Sequence, residues 1–156
     1  MKRLKSHFGD KKIHDLVFDE RPDRIYSAKV TGTATIKHIP FDSSGKTIYK
    51  GEGSIQFTCY YPFARAVEPK MGGKNEGDIP VPFVLTISGK GSISVDGHEI
   101  KWNLPEGVSA ELNTRTGLVV DANKDLYNKY VTGNLTAKIP VGEEAPAGAV
   151  FYCEYI

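Results

Sequence analysis

From Ser54 to Tyr61 the chain alternates without a break, with Ile55, Phe57, Cys59 and Tyr61 on one side and Ser54, Gln56, Thr58 and Tyr60 on the other. A side-chain period of two belongs to a strand, so this stretch predicts a strand buried on one face. Pro62 stops the ladder because it has no N–H to donate. The strand therefore ends in an aromatic corner, Tyr60-Tyr61-Pro62-Phe63. Such a corner either closes the bottom of a small core or anchors a partner, and packing is the commoner use of aromatics. Tyr60, Tyr61, Phe63 and the nearby Arg65 are the candidate protein-interface residues.

The same period recurs along most of the chain. Tyr26, Ala28, Val30, Gly32, Ala34 and Ile36 share one face, opposite Ser27, Lys29, Thr31, Thr33, Thr35 and Lys37. A long strand that is polar on one side fits an antiparallel sheet with one wet face, and Gly32 marks either a bend or a close backbone approach. Residues 24–61 thus predict a large hairpin with its loop at Asp42–Lys46. A hairpin alone is marginal, so it must lean on another element. Residues 2–8 predict the last turns of a helix, with Leu4 and Phe8 on one face and Gly9 as its stop. A chain that opens on the end of a helix implies that something normally precedes it.

Val67–Asp78 is polar, holds three glycines and a proline, and has no apolar period. It is expected to be a linker between domains. Beyond it, Val81, Phe83, Leu85 and Ile87 alternate with Pro82, Val84, Thr86 and Ser88. Asp96-Gly97 calls for a type I′ turn, which sets Val95 opposite His98 and Ile93 opposite Ile100. A second hairpin with its loop at Asn113–Gly117 is expected to place Ala110, Leu112, Leu118 and Val120 on one face. After a polar loop, Leu135, Ala137 and Ile139 alternate again, and Val150–Tyr155 closes the chain. Short strands at regular spacing, divided by turns, predict a mainly β chain ending in a β-sandwich.

Composition removes several classes of function. Apolar residues are 40% and charged residues 25%, as in a soluble globular protein. No apolar run is long enough to span a bilayer, and the charged start lacks the apolar core of a secretory signal. A net charge of +1 argues against nucleic acid as the main partner. Charge is nonetheless uneven: residues 1–70 carry 13 Lys/Arg and 8 Asp/Glu, the remainder 7 and 11, or +5 against −4. Two units with different surfaces would carry such an asymmetry, and so would drift on two solvated faces.

Several stretches together resemble the distal tail protein family of long-tailed bacteriophages. The most specific is Gly51-Glu-Gly-Ser-Ile-Gln-Phe-Thr-Cys-Tyr-Tyr-Pro-Phe-Ala64; Leu16-Val-Phe-Asp19 with Pro22, and Tyr26-Ser-Ala-Lys-Val-Thr-Gly32, are similar to the family's central strands. Gly77-Asp-Ile-Pro-Val-Pro-Phe83, Asn113-Thr-Arg-Thr-Gly-Leu118 and Leu135-Thr-Ala-Lys-Ile-Pro-Val-Gly142 resemble its domain join, a hairpin and a late strand. The resemblance implies residues 1–67 as the C-terminal part of a belt-type β domain with a short helix, 68–79 as linker, and 80–156 as a galectin-like β-sandwich. A full-length member has more belt domain before the helix, so Met1 falls inside that domain. The family's belt domains form a hexameric ring between the tail tube protein and the tail-tip fibre, lysin or receptor-binding proteins. The implied place is the virion tail tip, with assembly in the host cytoplasm, no catalysis and no cofactor.

The residues themselves show no catalytic set. His7, His14, His38 and His98 each stand without a second ligand at metal spacing. No Gly-x-Ser-x-Gly elbow or phosphate loop is present, since Met71-Gly-Gly-Lys-Asn75 lacks both the spacing and the Ser/Thr. Asp19/Glu20 and Glu143/Glu144 are neighbours whose side chains diverge in an extended chain, unlike an acid/base pair across a bond. Asn134-Leu-Thr136 is a glycosylation sequon by pattern alone. Cys59 and Cys153, far apart in strand-like runs, are expected as small buried hydrophobes and not as a disulfide framework. Trp102, the single tryptophan, forms with Asn113 and Arg115 the candidate sugar-binding set, because lectins stack a saccharide on an aromatic ring beside hydrogen-bonding groups. Their order and spacing do not match a galectin sugar motif, and Trp102 shares parity with Ile100 and Leu104, which points it inward. A cell-wall sugar is therefore the alternative partner.

Overall fold

The alternating stretches fold as antiparallel strands, and the chain is mainly β. The computed structural model describes residues 12–31, 35–43 and 46–156, with backbone alone at 35–43 and 46–54. The helix expected over residues 2–8, the bend or close approach at Gly32, and Ser44-Gly45 of the first hairpin loop lie outside the described residues. Two compact units form, one from residues 1–17 and 26–62, the other from 18–25 and 63–156.

In the first unit, β1 (His14–Phe18) neighbours β2 (Arg21–Val30), and Ser27 Oγ donates to Asp15 Oδ1 at 3.2 Å. The large hairpin forms. Its outer part is β3 (Thr35–Ser43) on β4 (Lys46–Ser54), in register from Thr35↔Ser54 to Ser43↔Lys46. Its inner part is the later half of β2 on β5 (Phe57–Cys59), with Ala28 opposite Cys59 and Val30 opposite Phe57. Ile55 and Gln56 interrupt the run that the sequence presents as one strand. Burial along it fades too: Ile55 and Phe57 are half-buried, but Cys59 and Tyr61 are exposed. The expectation of a buried Cys59 is thus corrected. An alternating strand defines an apolar side, but the side is buried only where another layer covers it.

In the second unit the early half of β2 pairs with β6 (Ala64–Ala66), and β6 pairs with β15 (Glu154–Tyr155). Residues 70–74, expected within the linker 68–79, are instead strand β7 (Lys70–Lys74), which pairs with β14 (Glu144–Phe151). The reason lies in its glycines. Gly72 and Gly73 adopt φ of 65° and 78°, and β14 bulges between Ala145 and Val150, so the pairing is irregular and leaves no alternation to read. Asn75, fully buried, pins the segment that follows. Its Nδ2 donates to the Ile79 carbonyl at 3.0 Å and its Oδ1 accepts from the Gly77 N–H at 3.0 Å.

Two sheets share the core of this unit. One is ordered β12-β11-β8-β14-β7, using β8 (Phe83–Ser88), β11 (Ser109–Asn113) and β12 (Leu118–Val120). The other is β13-β10-β9, using β9 (Lys90–Val95), β10 (His98–Asn103) and β13 (Val131–Thr132). Phe83, Leu85, Ile87, Ala110, Leu112, Val119 and Phe151 from the first meet Val95, Ile100 and Val131 from the second in one buried cluster. Each large side chain so buried contributes about 1.5–3 kcal/mol, which makes this cluster the main support of the unit. Thr114 closes one end: its hydroxyl accepts the Phe83 N–H at 2.8 Å and donates to the Phe83 carbonyl at 3.0 Å.

The Asp96-Gly97 hairpin has the expected register, Val95↔His98 and Ile93↔Ile100, with φ of 51° and 71° at the turn. In the second hairpin Asn113 lies opposite Leu118, so Leu112 faces Val119. Val119 is therefore the buried residue and Leu118 is exposed, a one-residue correction set by the loop length. Ala137 and Ile139 are buried as expected, but that segment makes a single bridge, Ile139 to Val81, and no strand. The polar loop before it holds a short 3-10 turn, Asn128–Tyr130.

Candidate functional site

Trp102 sits near the end of β10, between Gly91 of β9 and Val131 of β13. Its indole lies directly over Gly91, where a Cβ would come within 2.5 Å of the ring. Glycine is thus required there for the ring to lie down on the neighbouring strand. The indole N–H donates to the Ser88 carbonyl at 3.2 Å. Trp102 is half-buried, so the inward reading from parity holds for part of the ring, which packs against the core cluster.

An open groove of about 510 Å³ runs beside it, bounded by Lys90, Ser92, Trp102, Asn103, Tyr130 and Thr132 among others. Tyr130 is itself packed on the core, and Tyr127 stands 6.0 Å from it, centroid to centroid. Lys101 at the groove pairs with Glu99 at 2.8 Å. Aromatic rings flanked by hydroxyl, amide and ammonium groups suit a polar, ring-shaped ligand. Asn113 and Arg115 are absent from this groove. The Asn113 Oδ1 accepts the Arg115 N–H at 3.0 Å and so shapes its own turn, while the Arg115 guanidinium reaches Glu154 at 3.7 Å. The structure therefore does not assemble Trp102, Asn113 and Arg115 into one site. Asn103, the next residue of β10, and Tyr130 take the neighbouring places; Tyr130 is brought there by the pairing of β10 with β13, which no local pattern announces.

A second collection of chemistry lies along β6 and β15. The Arg24 guanidinium stacks 4.0 Å over the Tyr155 ring and Arg65 stacks 4.7 Å over Tyr152. Between these tyrosines Cys153 and Glu154 are buried. Burial pushes the Tyr155 phenol above its ordinary value, helped by Cys153 and opposed by the Arg24 charge, so the hydroxyl stays protonated at neutral pH. The Arg24 Nε is buried without a hydrogen-bond acceptor among the described residues, and Asp23 at 3.7 Å is too distant to serve as one. Arg65, a candidate interface residue, is thus half-buried in a stacked seam. Of the other three, Tyr60 and Tyr61 are 60% and 45% exposed, and Phe63 is half-buried.

Among the described residues no group of three or more His, Cys, Asp or Glu could hold a metal ion, and no helix is long and apolar enough to cross a membrane. Comparisons with protein-family models, with curated proteins and with solved structures give no match to this chain.

Proposed function

We propose that this chain is a structural, non-enzymatic component of a phage tail tip, a distal-tail hub joining the tail tube to the fibre or lysin complex. The observation that carries this reading is the Gly51–Ala64 run and its resemblance to the distal tail family. An antiparallel, mainly β build in two units supports it. In this reading the first unit is the C-terminal part of a belt domain and the second is a galectin-like sandwich. The exposed rings of Tyr60 and Tyr61 contribute to contacts within a hexameric ring or with the tail tube protein. The test mixes the full chain with the tail tube protein of the same phage and images the product by negative stain. Rings capping tube ends are expected. A protein that neither forms rings nor joins tubes would sink the proposal.

The Trp102–Tyr130 groove favours a second reading, a carbohydrate-binding module that aids attachment to the host cell wall. Titration with wall polysaccharide should then shift the emission of Trp102, the single tryptophan. An unchanged spectrum at saturating polysaccharide removes this reading and leaves assembly.

A further inference from the structure

We propose that the outer edge of β9 pairs with the same edge of a second copy of this chain, antiparallel about Ile93, so that two three-stranded sheets become one. Among the described residues strand β9 ends its sheet, paired with β10. The backbone decides which of its groups are free. A two-residue turn at Asp96-Gly97 makes Val95 and His98 a hydrogen-bonded pair, and such pairs recur at every second residue. The Leu104 N–H on the Gly89 carbonyl, at 2.8 Å, continues the same series. Gly91, Ile93 and Val95 therefore spend their N–H and carbonyl groups on β10. Lys90, Ser92 and Ser94 point theirs outward, and all three residues are exposed.

Apart from Lys90 at one end, this edge shows few of the usual protections against strand addition. It has no proline and no bulge, and its central outward residues are two serines. Strand β7, at the end of the other sheet, differs in carrying positive-φ glycines against a bulged partner. The sequence of β9 also complements itself. With Ile93 opposite Ile93 of the second copy, Ser92 faces Ser94 and Lys90 faces Asp96, each twice by symmetry. Ser92 and Ser94 are the residues whose outward groups can exchange both hydrogen bonds in that register. Shifting the register by two residues in either direction takes Lys90 away from Asp96, to Ser94 or to His98. The opposite charges thus select one alignment among those that the backbone allows.

The test measures molar mass against concentration for the full chain, with hydrogen exchange read at Ser92 and Ser94. Assembly with concentration is expected, with both amides slowed about tenfold or more as copies pair. Ser92→Pro removes an outward N–H that β10 does not use, so it should abolish this pairing while leaving the unfolding midpoint in place. Lys90→Glu, at an exposed side chain, should weaken it roughly tenfold by setting like charges at both ends. A chain that stays single up to about millimolar concentration, the weak end of specific association, overturns the proposal. So does an assembly in which Ser92 and Ser94 exchange as fast as in dilute solution, or in which Lys90→Glu changes nothing. Rings with unprotected β9 amides would leave the hub reading intact and remove this one.

Discussion

The two units are written in the same alphabet and use it differently. Both alternate apolar and polar residues over long stretches. In the second unit the apolar side of β8, β10 and β11 disappears into a shared cluster: Ile100 and Leu112 are fully buried and Phe83 nearly so. In the first unit, among the side chains described, Ala28 is the buried hydrophobic residue, whereas Ile13 and Val17 are 58% and 51% exposed. The difference teaches that a period of two specifies a face and not a core. The core arises where a second sheet supplies an apolar face of its own, which β9, β10 and β13 do for the second unit.

The sharpest way to break this contrast is to cut into both faces. Phe83→Ala should destabilise the protein by about 3–5 kcal/mol, the usual cost of emptying a buried phenylalanine site. Val17→Ser should stay within about 0.5 kcal/mol, as exposed substitutions do. Urea unfolding followed by far-ultraviolet circular dichroism, which reports strands of both units, with Trp102 fluorescence for the second unit, reads both, and equal effects would erase the distinction.

A smaller effect tests whether polar plugs matter as much as apolar area in the second unit. Thr114→Val keeps the shape but strips the two hydroxyl hydrogen bonds to Phe83, while the Phe83 carbonyl keeps the Thr114 backbone N–H at 3.0 Å. The expected loss is about 1–3 kcal/mol, since a buried N–H is left without its partner. A neutral result in the same unfolding experiment would mean that water or a shifted strand takes over the hydroxyl's place.

The smallest effect concerns the strand hidden in the glycine-rich stretch. Lys70 of β7 forms an ion pair with Glu76. The hydrogen bond to Lys70, and then its charge, hold the Glu76 carboxyl below its ordinary value, while the bond to Glu76 raises Lys70 above its own. The carboxylate's contribution is complete above the ordinary glutamate range and is lost as pH falls through the lowered value. The ammonium's contribution is complete below the ordinary lysine range and is lost as pH rises through the raised value. Both groups are solvated, so salt weakens the pair. Glu76→Gln should flatten the acid limb of the stability–pH curve slightly at low salt and leave it unaltered at high salt. A mutant curve that matches the wild type at low salt would show that the pair contributes nothing.

The register of the Asp96-Gly97 hairpin was legible because the turn residues and the pairing are neighbours in sequence. The register of the Asn113–Gly117 hairpin was misread by one residue, since loop length, not composition, fixes which residues face each other. Strand β7 was illegible because its partner lies some seventy residues away and its glycines carry no apolar signal. At the candidate site, Trp102 was legible as a lone aromatic on a strand. Its neighbour Tyr130 was not, because its place depends on how β10 meets β13.

The sequence by itself determined the strands, their two faces and their tight turns, all of which follow from φ preferences and from side-chain spacing along one stretch of chain. Tertiary structure alone decided which faces were covered, that β7 joins a sheet, and what stands beside Trp102. These outcomes depend on segments distant in the chain competing for the same apolar surface and the same hydrogen-bonding edges, and no window of sequence contains both competitors.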